Sequence, residues 1–171
     1  MASGWRLAVL AALSMALPAC DSGSPTPPSN VPAPTPPPAT PPPVTERNIE
    51  VVSTDVPKDI PNRTTTQSVV DVAATGVVLD VLVDVVISHT WRGDIELRLR
   101  HPDGTTAVIF TPSGGDSRDD IIGTLGIVNA PNLAQMLNRQ SQGRWTLQII
   151  DGQPQDNGRL ISWGLRLRVR G

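Results

Sequence analysis

The chain is poor in the residues that build covalent links and metal centres. It has one cysteine and two histidines in 171 residues. A lone cysteine cannot form an internal disulfide, so the fold must be stable without that link. The sequence has no cluster of cysteines and histidines of the kind that binds zinc, and no glycine-rich phosphate loop between a strand and a helix. These absences argue against a disulfide scaffold, a zinc site and a phosphate-binding loop.

Aromatic residues and net charge are also scarce. The aromatic residues after position 46 are Trp91, Phe110, Trp145 and Trp163. We expect them in a core rather than on a sugar-stacking surface. Over residues 47–171 the 13 Lys and Arg (14 less Arg6) nearly balance the 14 Asp and Glu (16 less Asp21 and Glu46). This balance argues against nucleic-acid binding, which requires a basic surface.

The first twenty residues have the pattern of a targeting signal. After Arg6, an almost unbroken apolar run covers residues 7–17. About eleven residues suit a signal peptide and are too few for a membrane-spanning helix of roughly twenty. The run ends in Leu-Pro-Ala-Cys at 17–20, which resembles the lipobox of bacterial lipoproteins. We therefore predict a lipoprotein signal peptide over 1–19 and a lipid on Cys20; the alternative is an ordinary secretory signal.

A lipid on Cys20 would anchor the chain to a membrane of the cell envelope, on its periplasmic or cell-surface side. Residues 22–45 carry no charge, and runs of two or three prolines recur in them. Such a segment favours extended polyproline II and could hold the next domain up to about 70–80 Å from the anchor. A ligand for a proline-recognition domain is the alternative. We assign 20–46 to the lipidated cysteine and linker, and 47–171 to one globular domain.

The globular part alternates apolar and polar residues with the period of two that is typical of β-strands. In its longest run the predicted inward residues are Val77, Leu79, Val81, Val83, Val85 and Ile87. A strand over 95–100, a His-Pro-Asp-Gly turn and a returning strand over 105–110 predict a hairpin. Further strands are predicted over 49–52, 67–72, 145–149 and 163–169, and one or two helical turns over 133–138. Many short strands between turns predict an antiparallel sandwich.

Three motifs carry a resemblance to a known family. They are His-Thr-Trp-Arg-Gly-Asp at 89–94, Gly-Arg-Trp-Thr-Leu-Gln-Ile-Ile-Asp at 143–151 and Gly-Arg-Leu-Ile-Ser-Trp at 158–163. Together they resemble the P domain (P/Homo B domain) that follows the catalytic domain in subtilisin-like proprotein convertases and many secreted bacterial peptidases. The resemblance implies an all-β fold, an antiparallel β-sandwich of about eight strands arranged as a galactose-binding-like jelly roll. It also implies structural roles for His89, Trp91, Gly93, Asp94, Trp145 and Trp163.

The resemblance associates the chain with proteolysis and with serine-type endopeptidases, but it supplies no catalytic residue. In family enzymes the catalytic residues lie in a separate domain that has no counterpart here. His89, Asp94 and Ser113 or Ser117 offer the residue types of a triad, yet the sequence has no G-x-S-x-G elbow. We predict that the chain is not an enzyme.

Two acidic loops are candidate calcium sites. Their aspartates are Asp116, Asp119, Asp120, Asp151 and Asp156. Flexible loops with several carboxylates can assemble the six to eight oxygens that Ca²⁺ takes, and the resemblance points the same way because some bacterial P-domain relatives bind calcium. The alternative is that these aspartates cap turns. Neither loop has the pattern of an EF-hand.

Two other patterns are more simply structural. Arg-Gly-Asp at 92–94 spells an adhesion tripeptide, but it leads into a strand, and we expect Asp94 to orient the turn through backbone N–H groups. The arginines of the last strand are expected to form a solvated face. The resemblance therefore implies a non-catalytic, lipid-tethered module that binds or stabilises a subtilisin-like or other secreted peptidase. The alternative is a structural or adhesive envelope lipoprotein without a peptidase partner.

Overall fold

The computed structural model describes residues 43–171. The predicted signal peptide, Cys20 and nearly all of the predicted linker lie outside the described residues. Among those that are described, no helix has both the length and the apolar character needed to cross a membrane.

The described residues form nine strands and two short 3₁₀ helices. The strands are β1 (Glu46–Val52), β2 (Lys58–Ile60), β3 (Thr65–Val72), β4 (Val77–His89), β5 (Ile95–Arg100), β6 (Thr106–Phe110), β7 (Ile121–Leu125), β8 (Gly143–Asp151) and β9 (Gly158–Arg170). The 3₁₀ helices are Arg92–Asp94 and Pro131–Met136. The second helix begins two residues before the segment predicted to be helical and ends at its fourth residue.

The strands form two antiparallel sheets. The first sheet has the order β1-β9-β4-β7, with β2 also paired to β9, and the second has the order β3-β8-β5-β6. The hairpin of β5 and β6 is present, and Gly104 N–H donates to His101 O at 2.9 Å in its turn. The predicted all-β sandwich is confirmed. β2 and β7 were not predicted as strands.

One core fills the space between the sheets. The inward residues predicted for the last two long strands are all buried; they are Trp145, Leu147, Ile149, Trp163, Leu165, Leu167 and Val169. Burial of each such side chain contributes about 1.5–3 kcal/mol. Phe110 is half-buried and packs against this core. Trp91 is also half-buried but is not part of the core, so the expectation of a core position is wrong for this residue.

The set of β4 side chains that faces the core switches from even-numbered to odd-numbered residues part-way along the strand. Val77 and Leu79 were predicted to point inward, but both are half-buried, and Val78 is fully buried instead. The register with β9 shifts between Val78 and Asp80. One extra residue moves every preceding side chain to the opposite face of a sheet. Beyond this bulge, the prediction for Val81 to Ile87 is confirmed.

The arginines of β9 form ion pairs on the outer face of the first sheet. Arg166 Nε lies 2.7 Å from Asp84 Oδ2, and Arg168 Nη1 lies 3.2 Å from Glu46 Oε2. These pairs neutralise much of the predicted arginine stripe. The face is solvated, as expected from the sequence, and its charges are largely balanced across neighbouring strands.

A polar network joins the two sheets beside Trp163. Its indole N–H donates to Ser68 Oγ on β3 at 2.7 Å. The Ser68 hydroxyl donates to the carboxylate of Asp55, and Ser53 Oγ donates to the same oxygen at 2.6 Å. Because the indole N–H and the Ser68 hydroxyl are both buried, these bonds remove a desolvation cost of about 1–3 kcal/mol for each group.

Asp55 also accepts a hydrogen bond from a backbone N–H on the outer edge of β3. Its second oxygen accepts from Val69 N–H at 3.2 Å and pairs with Lys58 Nζ at 3.0 Å. Burial alone would raise the pKa of Asp55, but hydrogen bonds from Ser53, Ser68 and Lys58 outweigh it and lower the pKa to about 2. The ionised carboxylate is therefore part of the folded structure over nearly the whole pH range.

Replacing Asp55 with Asn should destabilise the domain and remove part of its acid sensitivity. We expect D55N to lose about 1–3 kcal/mol at neutral pH, because Asn cannot accept the same set of bonds. The Asp55 contribution is complete above the unfolded pKa of 3.8 and is lost as the pH falls through the folded pKa of about 2. Urea unfolding at neutral pH and near pH 2 checks this; Asp59→Asn, with a side chain that is 80% exposed, is the control. Equal pH dependence of D55N and wild type would contradict it.

Candidate functional site

The first motif lies at one end of the sandwich and begins with a buried histidine. His89 is the last residue of β4 and is 2% exposed. Its Nε2 lies 3.4 Å from Asp151 Oδ2, and its Nδ1 contacts the backbone N of Trp91 at 3.1 Å and the Trp91 carbonyl at 2.9 Å. A carboxylate can only accept, so Nε2 carries a proton in this contact. His89 therefore ties the end of β4 to the end of β8.

The backbone of His89 is held from the other side by Asp120. His89 N–H donates to Asp120 Oδ1 at 2.9 Å, and Asp120 N–H donates to the His89 carbonyl at the same distance. Asp120 adopts a φ of 53°, which is unusual for a residue other than glycine. This reciprocal pair fixes the start of β7, so Asp120, a predicted calcium ligand, makes a structural contact through its Oδ1.

The Arg-Gly-Asp tripeptide forms a 3₁₀ turn that is clamped to the loop after β6. Gly93 N–H donates to the Asp116 carbonyl at 3.1 Å, and Ser113 N–H donates to the Gly93 carbonyl at 3.0 Å. A Cβ on Gly93 would lie 2.3 Å from the Ser113 carbonyl oxygen, so only glycine fits. The buried Gly93 leaves the tripeptide packed against the protein, unlike an exposed adhesion loop.

Asp116 carries the negative charge at these contacts between the tripeptide and the loop, which we call the Gly93 clamp. Its carboxylate pairs with Arg118 Nε at 2.7 Å and with Arg92 Nε at 2.8 Å. Hydrogen bonds from Arg118 and then from Arg92 hold the pKa of Asp116 well below its usual range. A carboxylate neutralised by two guanidinium groups is a poor calcium ligand, because a cation would have to displace both arginines. Asp119, between these residues and β7, is exposed.

Three acidic side chains lie near one another at the other side of the motif. Burial, followed by the negative charges of Asp151 and Asp156, raises the pKa of Asp94, and His89 opposes the rise. Asp156 Oδ1 accepts from Thr90 Oγ1 at 2.6 Å, and Asp151 Oδ1 accepts from Gln153 N–H at 3.0 Å.

Asp94 and Asp156 line an open depression together with Trp91 and the 153–155 loop. The hydrogen bonds within residues 43–171 give the Asp94 carboxylate no partner, so its expected contact with backbone N–H groups is not formed. Its carbonyl accepts from Gly152 N–H at 3.1 Å instead.

The aspartates of the two predicted calcium loops do not form a group of three. Within the described part of the chain, no three His, Cys, Asp or Glu side chains lie close enough together to hold a metal ion. Asp116 is paired with two arginines, and Asp120 accepts from the backbone of His89. In the second loop, Asp151 contacts His89 and Asp156 accepts from Thr90. The sequence predicted Asp94 only as a structural residue, whereas the structure adds it to the acidic group.

Comparison with known proteins gives this fold and these motifs a family. The family model of the proprotein convertase P-domain matches residues 78–167, a segment that includes all three motifs and slightly more than half of the chain. The chain belongs to the proprotein convertase P-domain family. The resemblance seen in the sequence is thereby confirmed.

Relatives of this P domain are much longer proteins. The calcium-dependent protease of Nostoc sp. is 33% identical over 115 residues, which cover 66% of this chain and 17% of that protein. Leupeptin-inactivating enzyme 1 of Streptomyces exfoliatus is 37% identical over 81 residues, which cover 47% of this chain and 17% of that protein. The chain thus spans about a sixth of the length of these curated relatives.

Solved structures show the same fold. The serine protease of Aeromonas sobria in complex with its chaperone superposes with a TM-score of 0.59 at 19% identity, over 76% of this chain and 28% of that chain. The serine protease of Aeromonas sobria in another crystal structure superposes with a TM-score of 0.56 at 19% identity, over 75% of this chain and 27% of that chain. At this identity the likeness concerns the fold alone.

The P domain has the residue types of a triad but not its geometry. A triad needs a serine hydroxyl bonded to an imidazole that a carboxylate orients. Here the two ring nitrogens of His89 contact Trp91 and Asp151, and the ring is enclosed. Ser113 uses its backbone to hold Gly93. The other histidine, His101, is also buried; its Nε2 donates to the Gln140 carbonyl at 2.9 Å, and its ring meets Trp145 edge-on.

Gly93→Ala should release the loop between β6 and β7. The added methyl group would lie 2.3 Å from one backbone oxygen and 2.8 Å from another, and neither can move without breaking the clamp. We expect a loss of about 1–3 kcal/mol in thermal unfolding, with faster hydrogen exchange at the Gly93 and Ser113 amides. Gly114→Ala is the matched control, since a Cβ there meets no atom within 4 Å. Equal stability of the two variants would show that the clamp does not hold the loop.

Proposed function

We propose that this P domain is a non-catalytic module, tethered to the cell envelope by a lipid, that binds and stabilises a peptidase made as a separate chain. The observation that carries the proposal is the family match over 78–167 in a chain whose motif residues hold loops together instead of forming a reactive site. In the relatives the matching segment is a small part of a protein named a calcium-dependent protease or a leupeptin-inactivating enzyme. One solved neighbour is a protease bound to its chaperone.

The envelope location is supported by the sequence alone. The apolar run at 7–17, the Leu-Pro-Ala-Cys motif and the uncharged proline-rich segment follow one another in the order of a lipoprotein. A lipid on Cys20 and a spacer of this length would let the domain reach a peptidase at some distance from the membrane surface.

Calcium binding is the second part of the proposal, and the proposed site keeps Asp156 from the sequence prediction and adds Asp94. Two relatives are named calcium-dependent proteases. In this chain the carboxylates that fit a cation best are Asp94 and Asp156, because they share one open depression and Asp94 has a raised pKa. Two carboxylates are fewer than Ca²⁺ prefers, so backbone carbonyls and water would complete its six to eight oxygens.

Purification of the tagged full chain from detergent-solubilised envelope, with Ca²⁺ and with a chelator, tests both parts. We expect an identified peptidase to copurify, in larger amount with Ca²⁺, and we expect Ca²⁺ to raise the melting temperature of the isolated chain. Asp94→Asn should abolish both calcium effects. Asp71→Asn, which alters an exposed ion pair with Arg144, should retain them.

The possible results distinguish calcium binding from the peptidase-binding role. A peptidase recovered equally with Ca²⁺ and chelator, together with an unchanged melting temperature, would overturn calcium binding and leave the accessory role. Recovery of only envelope polymers or structural proteins would overturn the peptidase role. It would favour the alternative, a structural or adhesive envelope lipoprotein.

Cys20→Ala should release the protein from the membrane. Wild-type chain is expected to incorporate a labelled fatty acid and to enter the detergent phase on phase separation, because acyl chains on the cysteine supply the anchor. The variant should lack the label and remain in the aqueous phase. Ser22→Ala, two residues away, is the control. Detergent-phase behaviour of C20A equal to wild type would overturn the lipid anchor.

A further inference from the structure

The two sheets have five edge strands, and four of them are covered by side chains. The edges are β1, β2 and β7 in the first sheet, and β3 and β6 in the second. An uncovered edge offers backbone N–H and C=O groups to another strand. The covering donors are Thr66 Oγ1 on the Asp59 carbonyl of β2, Lys58 Nζ on the Gln67 carbonyl of β3, Asn132 Nδ2 on the Val108 carbonyl of β6, and Asn129 Nδ2 on the Thr124 carbonyl of β7.

β1 is the edge that has no such cover. Thr45 exchanges both backbone hydrogen bonds with Gly171, and Ser53 N–H donates to the Trp163 carbonyl at 2.9 Å. Because bonded pairs alternate along an antiparallel ladder, the odd-numbered residues between them face β9. The backbone groups that point away belong to Glu46, Asn48, Glu50 and Val52. Among the hydrogen bonds of the described residues, none involves these groups.

An apolar groove meets the open edge at Val52. The groove has a volume of about 540 Å³ and crosses the outer face of the first sheet from β1 to β7. Val52 and Ile122 stand at its two sides with 73% and 69% of their surface exposed. Val52 lies opposite Gly164, which has no side chain to cover it. Free backbone groups and an exposed apolar surface therefore lie next to each other at Val52.

We propose that the β1 edge and this groove form the docking surface for an extended segment of the partner peptidase. The proposal rests on the function proposed above and names the surface through which it acts. Added strands gain affinity from backbone hydrogen bonds and specificity from alternate side chains. The segment would run along Glu46 to Val52 and place an apolar side chain beside Val52.

The charge of this surface favours a basic side chain in the same segment. Glu46 is paired with Arg168, and Asp84, at the groove, is paired with Arg166. Glu50 lies opposite Arg166 on β9 and interacts with its charge, but Arg166 is already paired with Asp84. The two carboxylates share one guanidinium, so a net negative charge remains on the outer face beside β1. A Lys or Arg of the peptidase segment opposite Glu50 would complement it.

Two other occupants fit less well. The proline-rich segment of this chain has few N–H groups to donate, because proline has none. A second copy of β1 in antiparallel pairing places glutamate against glutamate when Asn48 or Glu50 is aligned with itself, and like charges opposite one another are destabilising.

Three variants of the full chain test the surface in the copurification described above. Asn48→Pro removes an outward N–H, which an edge strand tolerates, and Val52→Lys places a charge where the edge meets the groove. Val128→Lys is the matched control, since Val128 is fully exposed on the turn after β7. We expect N48P and V52K to recover about tenfold less peptidase than wild type, and V128K to recover as much. Hydrogen exchange of the wild-type complex should show new protection at Asn48, Glu50 and Val52.

Each result decides the proposal. Undiminished recovery with V52K, or no new protection along β1, would overturn the docking surface while the accessory function stands. Recovery of no peptidase by wild type would overturn both. Light scattering that finds a wild-type dimer and a V52K monomer would assign the edge to a second copy. If N48P fails to fold, V52K decides, because a Lys replaces an already exposed side chain.

Discussion

The Asp55 carboxylate is the contact on which the arrangement of the two sheets depends. It accepts from Ser53 at the end of β1 and from Ser68 and Val69 on β3, and through Ser68 it reaches the buried indole of Trp163. One ionised group thus satisfies polar atoms of both sheets where the core would otherwise leave them unpaired. It also closes the edge of β3 while β1 beside it stays open.

The long strands could be predicted from the sequence because burial of one face imposes a period of two. The prediction failed where local geometry overrides that period. Leu79 is the extra residue of a bulge, and nothing in an unbroken run of apolar residues marks which one is extra. β2 has three residues, and β7 contains Gly123 at a φ of 152°, so neither shows an alternation long enough to detect.

The site was less predictable than the fold. The sequence shows how many carboxylates a loop carries, but not which partners reach them. Asp116 is bound by Arg92, a residue 24 positions away, and this contact exists only because the Gly93 turn packs against the loop. Asp94 was expected to bond backbone N–H groups, yet its raised pKa arises from burial and from residues far along the chain. Such neighbours follow from tertiary packing and have no local signal.

The His89 region and the sheet edges of this P domain manage their hydrogen-bonding groups in different ways. Around His89, bonds through Asp120, Asp151 and Gly93 join the loops to one another and, within the described residues, leave the Asp94 carboxylate without a hydrogen-bond partner. Along the edges, a side-chain donor bonded to a carbonyl blocks any added strand, whereas charge only selects among strands. β1 carries Glu46, Arg47 and Glu50 and no covering donor within the described residues. Its charges discourage pairing with itself and still admit a strand of complementary sequence, which is what a specific docking edge requires.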